Sequence, residues 1–304
     1  MTASIGFSIL RAIKVLQLIL SAGLQDLESF HTFICTLCRW STSPVSKDEA
    51  CVCEELPDTP TSTVIACCPS RRIQVKTELL VKSLLDRGLT ADYNSGESIV
   101  AAAQNYQYEM LEILLPSFKA ASSPSEYIVR HGDGRIFYEH SSQTQVEMRR
   151  RLTTLRSLVR HGGENCSILP EALRNAVQKS TVNAEACQVA ELLLEYRVHD
   201  ESGAVIRYLT ANPQPEIRHL LSSALELETS KNLRLEAIRG LVVSSHLDDE
   251  SMSSLILSAL CGSSSQLLEM TREETHKILQ AVAEAGKVEA LTLILSCITD
   301  KSIL

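Results

Sequence analysis

The chain has 304 residues, 44% of them apolar and only 4% aromatic, with a formal net charge of -8 at pH 7. That length supplies a sizeable core in one large domain or two smaller ones, and a composition dominated by Leu, Ala, Ile and Val suits helices packed through aliphatic and small side chains. An acidic chain lacks the positive field that holds phosphate backbones, which argues against a nucleic-acid partner, and no apolar run reaches the roughly 18 residues of a membrane span.

Residues 1–40 read as a helical N-terminal segment. Ile9, Ile13, Leu16 and Leu20 fall on one side of a helix, while Lys14 and Gln17 break the apolar run that a secretory signal would need. A cytoplasmic location, with the nucleus as the alternative, is the expectation. The ten cysteines would then be thiols. Cys35 and Cys38 form a C-x2-C pair, followed by Cys51 and Cys53 at the tighter C-x-C spacing. Tetrahedral zinc usually takes two close pairs, and the second pair departs from the common form. The reading is therefore no metal, with cysteines serving as small buried apolar residues or loose thiols, and zinc at these four positions is the competing reading.

Residues 41–73 are rich in Ser, Thr, Pro and Asp. Pro44, Pro57, Pro60 and Pro69 interrupt any long helix, so this stretch is expected to be a linker or long loop. Two basic runs, around Arg71 and at Arg149-Arg150-Arg151, are expected to be solvated helix ends rather than an import signal or an anion site.

From residue 74 onward the text is periodic at helical spacing, in segments of about ten residues separated by polar or Gly-containing turns. "AAAQNYQYEMLEILL" (Ala101–Leu115) half reappears as "QAVAEAGKVEALTLIL" (Gln280–Leu295), with Ala103 meeting Ala283, Tyr106 meeting Gly286 and Leu111 meeting Leu291. The offset is 180 residues, or about five periods of roughly 33. Weaker copies lie between. Each has an Ala-rich helix, a turn and a Leu-rich helix, so a single pair cannot bury its own Leu face and neighbouring pairs must stack. The predicted fold is an all-α helical-repeat solenoid of stacked helix pairs over 74–304, and an ordinary helical bundle is the simpler alternative. Ser98, by its hydroxyl, and Pro170, by its fixed φ, are expected to cap helix starts.

One interruption, residues 116–144, reads as an insertion. Asp133-Gly134 lies between "YIV" (Tyr127–Val129) and "RIFY" (Arg135–Tyr138), which predicts a small β-hairpin near 127–138. Tyr127, Phe137 and Tyr138 would either anchor a partner from this finger or fold back over the helices. Tyr93 and Tyr106, near the turns of the neighbouring repeat, would extend the patch. No nucleophile elbow, P-loop or dinucleotide fingerprint is present, and His131, His140 and His161 show no metal-ligand spacing. The chain is expected to be non-catalytic, to need no cofactor and to bind another protein. An enzyme whose site is assembled from scattered residues is the alternative.

"SGESIVAAAQNYQYEMLEILL", "LLDRGLTAD", "LVRHGG" and "LQAVAEAGKVEALTLIL" together resemble ankyrin repeats, and the similarity covers most of residues 75–298. The family's Thr-Pro-Leu-His start is replaced by "GESIV" (Gly96–Val100) and "LPEAL" (Leu169–Leu173), so regular hairpin fingers are not implied. The resemblance implies stacked helix pairs and a protein-binding scaffold. Its style is similar to diverged ankyrin chains of filamentous fungi, which would imply an accessory role in a metabolite or pathogenicity gene cluster.

Overall fold

In the computed structural model, the described residues run from 69 to 299, with gaps at 87–90, 92, 120–122, 132–133, 143, 163–165, 245–246 and 262–269. The expected N-terminal helical segment, most of the expected linker and Cys35, Cys38, Cys51 and Cys53 lie outside them. The described residues are all-helical, with no strand among them. Contacts divide the chain into two units, the first holding Met1–Ile136 and Thr144–Gly162 and the second Phe137–Gln143 and Gly163–Leu304.

The first unit contains α1 (Pro69–Asp86), α2 (Tyr93–Gln104), α3 (Tyr108–Leu114), α4 (Pro124–His131) and α6 (Gln145–Gly162). The short α5 (Arg135–Tyr138) lies where the chain passes from one unit to the other. Pro69, expected to interrupt a helix, instead begins α1. Proline is tolerated in a first turn because the missing N–H has no helical partner there. α2 packs on α3 and α4, α6 packs on α3 and α4, and α1 packs on α3. Ala101, Ala102 and Ala103 are all buried, and their small side chains let α2 lie close to its neighbours. Ser98 does not cap a helix start, because α2 begins five residues earlier. Its hydroxyl donates to the Ala91 carbonyl instead.

The expected β-hairpin is not formed: residues 124–131 and 135–138 are helical. Pro124 opens α4, and the Ser123 hydroxyl accepts from the Glu126 amide, as an N-cap does. Pro124, Ser125, Tyr127 and Ile128 are buried while Arg130 is exposed, which is helical spacing rather than the alternation of a strand. Gly134, between α4 and α5, has φ +66, a left-handed conformation that suits glycine.

The second unit contains α7 (Leu169–Ser180), α8 (Ala184–Glu195), α9 (Ala204–Ala211), α10 (Arg218–Leu227), α11 (Lys231–Val243), α12 (Asp249–Cys261), α13 (Arg272–Glu284) and α14 (Val288–Thr299). Sequence neighbours pack as α7 on α8, α9 on α10, α11 on α12 and α13 on α14. The odd-numbered helices α7, α9, α11 and α13 contact one another in succession, and so do α8, α10, α12 and α14. α7 shows why. Leu169, Ala172, Leu173, Ala176, Val177 and Ser180 are its buried residues, spaced three and four apart on one stripe. Pro170 sits in its first turn as expected.

Candidate functional site

The aromatic residues singled out in the sequence do not form one exposed patch. Tyr127 is 8% and Phe137 0% exposed, so both spend their surface in the core rather than on a finger. The Tyr127 ring meets Phe118 edge to face at 5.3 Å, and a Cβ on Gly96 would lie 2.7 Å from its Cε1. Tyr138 is half-buried beside Phe137. Burial, then the charge of Glu171, push its hydroxyl above the ordinary tyrosine value. Tyr93 opens α2, but its side chain lies outside the described ones. Tyr106 sits at the α2–α3 turn, half-buried.

That turn is a defined motif. The Tyr106 amide donates to the Ala103 carbonyl and the Gln107 amide to Ala102, the two bonds of a Schellman C-cap. Tyr106 takes the left-handed position, φ +52. The α13–α14 turn repeats it: Gly286 donates to Ala283, Lys287 donates to Val282, and Gly286 has φ +69. Aligning the two stretches from sequence therefore placed two residues of identical backbone role on each other.

In the second unit, His140 and Ser142 are tied to the α7–α8 tip. Ser142 donates its amide at 2.9 Å and its hydroxyl at 2.6 Å to the buried Glu185 carboxylate. Asn183 donates to the His140 carbonyl, and its side-chain oxygen accepts from the Ala186 amide as the N-cap of α8. Asp200 does similar work before α9, accepting from the Val205 amide, the Ser202 amide and hydroxyl, and Arg174. Burial works to raise its carboxyl, but the Ser202 and Val205 bonds and the Arg174 charge prevail and hold it below the ordinary aspartate value.

Two buried arginines carry a signal the sequence reading missed. Arg149 and Arg150 are exposed, as expected of a basic run. Arg151 is 1% exposed and donates from Nε and Nη2 to the Ile136 carbonyl and from Nη2 to that of Arg135. Arg234, on α11, likewise donates to the Ala259 carbonyl of α12. Helical phase could have found Arg151, because it shares a face with Leu155 and Leu158.

A concave feature lies between α8 and α10. It is a groove of about 320 Å³ lined by Leu194, Glu195, Arg197, Ser223, Glu226 and the pair Glu191 and His219. His219 Nε2 and Glu191 Oε1 are 2.7 Å apart. Cys187, one turn before Glu191, places its Sγ 3.8 Å from the same oxygen. Burial, then the Glu191 charge, push its thiol above the ordinary cysteine value. The sequence reading did not single out these three residues, because His219 lies 28 positions from Glu191 and only the packing of α8 on α10 unites them.

No helix among the described residues is long and apolar enough to cross a membrane. Comparison of the chain with family models, with curated proteins and with solved structures gives no match.

Proposed function

We propose that the chain is a non-catalytic, ankyrin-like repeat scaffold that holds another protein, working in the cytoplasm or nucleus. The succession of contacts in the second unit carries this reading. First helices touch first helices, and second helices touch second helices, across four consecutive pairs. Such stacking extends a surface by repetition rather than closing it round a pocket. Side-chain bonds between neighbouring pairs recur at similar separations, with His199 to Glu228 and Arg207 to Glu236 each 29 residues apart and Arg218 to Asp248 30 apart.

The surface offered to the partner is the row of tips where the first helix of a pair turns into the second. Val182, Val243 and Val288 occupy this place in three of the four pairs and are 88%, 80% and 68% exposed. Val182 lies in the α7–α8 turn, Val243 ends α11 and Val288 begins α14, so each sets an exposed apolar side chain at or beside a tip, which favours contact with an apolar surface on another protein. The acidic balance of the chain supports a protein rather than a nucleic acid.

The test compares the wild-type chain with Val182→Asp/Val243→Asp/Val288→Asp. All three side chains face solvent, so the melting temperature should stay near wild type. Affinity purification with quantitative mass spectrometry should recover a stoichiometric protein with the wild type and lose it with the triple variant. Identical recoveries for the two chains would remove the tips from the reading. No stoichiometric protein with the wild type would remove the scaffold itself.

A further inference from the structure

We propose that Cys187, Glu191 and His219 form a binding site for a late first-row divalent cation, zinc above all. The ligand atoms of the three residues all lie within 4.8 Å of one another. Tetrahedral zinc, with bonds of about 2.0–2.3 Å to N, O and S, sets its ligand atoms about 3.3–3.8 Å apart. The present spacings bracket that range: 2.7 Å from His219 Nε2 to Glu191 Oε1 and 3.8 Å from Cys187 Sγ to the same oxygen. The third separation also stays within 4.8 Å, so all three ligand atoms lie within reach of one ion.

The local architecture suits the task. Cys187 and Glu191 are four residues apart on α8 and so share one face. His219 comes from α10, which packs directly on α8, so the ion would link two successive second helices. Thiolate, imidazole and carboxylate together suit zinc, copper or cobalt and disfavour magnesium and calcium, which take oxygen alone. Three protein ligands would leave a fourth position for water, and Glu191 and His219 both line the groove. The competing arrangement is a plain Glu191–His219 ion pair with Cys187 as a bystander. Helical spacing alone would set Cys187 beside Glu191, so the two arrangements are told apart by metal binding.

The test uses the full chain, reduced and stripped of metal, titrated with ZnCl2 and separately with CoCl2. Cysteines elsewhere in the chain could also take up metal, so the readout is the difference from variants. Cys187→Ser and His219→Gln should each lower the zinc stoichiometry by one ion per chain, and Glu191→Gln should weaken that ion's binding at least about tenfold. Cobalt should give the wild type a tetrahedral visible spectrum with a thiolate charge-transfer band, and the part of that band due to Cys187 should vanish in Cys187→Ser. Zinc should also raise the melting temperature of the wild type more than that of His219→Gln. Variants that keep the wild-type helical circular dichroism but show unchanged stoichiometry and an unchanged cobalt spectrum would overturn the site. The scaffold reading stands apart from this outcome, because its tips carry no ligand.

Discussion

Tyr106 holds a backbone conformation that L-residues avoid. At φ +52 its Cβ crowds the neighbouring carbonyl, whereas Gly286 at φ +69 in the equivalent turn has no such conflict. The strain costs about 1 kcal/mol, and a comparison of two variants isolates it. Tyr106→Gly and Tyr106→Ala remove the same ring, but only glycine relieves the backbone. In urea unfolding, Tyr106→Gly should be about 1 kcal/mol more stable than Tyr106→Ala, and equal stabilities would show that the turn relaxes. Gly286→Ala should cost about as much, since nothing lies within 4 Å of the added methyl and only the backbone is strained. Arg151 makes a larger demand. Replacing it with Met keeps most of the volume but removes the donor to the buried carbonyl of Ile136 and to the half-buried carbonyl of Arg135. Denaturant unfolding should show a loss of about 2–4 kcal/mol.

At the scale of elements, α13 is set by its ends. Thr271 and Glu274 form a reciprocal capping box, and Lys231 of α11 reaches Glu274 at 2.8 Å. The Lys231 bond, then the Thr271 amide, hold the Glu274 carboxyl down to about 2. A carboxyl with a folded value below its unfolded one, about 4.3, adds stability above that range and loses it as pH falls toward 2. Denaturant unfolding between about pH 5 and 2 should therefore be less pH-dependent in Glu274→Gln than in wild type. Parallel profiles would mean that the bond to Lys231 does not persist in solution. Helices were the most legible elements in the sequence, because stripes such as Leu169, Ala172, Leu173 and Ala176 on α7 announce one buried face. α4 was misread because Tyr127-Ile128-Val129 ahead of Asp-Gly has local strand preference. Burial of Ser125 and Ile128 on one helical stripe overrode that preference. The metal cluster could not be read at all, since no local spacing encodes the meeting of α8 and α10.

Across the second unit, burial is uneven, and stability should follow it. α8 buries seven residues, from Glu185 to Leu194. In α13 only Ile278 and Val282 are buried, and in α14 only Ala290 and Ile294 among the described side chains. Amide hydrogen exchange should therefore be faster in α13 and α14 than in α7, α8 and α11, which bury six or seven residues each, as expected where each pair leans only on its neighbours. Equal protection in all four pairs would mean one cooperative block instead. The pairing order itself was partly legible: the echo of Ala101–Leu115 in Gln280–Leu295 identified two helix–turn–helix segments whose turns share one hydrogen-bonding pattern. Which helix touches which was not legible, because it depends on close approaches between distant residues, such as Gly240 beside Thr210.

The bonds that join successive pairs also govern what tension would do. Tyr208 reaches back 30 residues to Gln178, and Arg207 reaches forward 29 to Glu236. Pulled from its ends, such a chain has no single clamp that must break first. It should peel one pair at a time, each release freeing roughly 25–40 residues, or on the order of 100 Å of slack. The second unit would then lengthen by one pair per step, in steps of unequal size, while its remaining pairs stay folded.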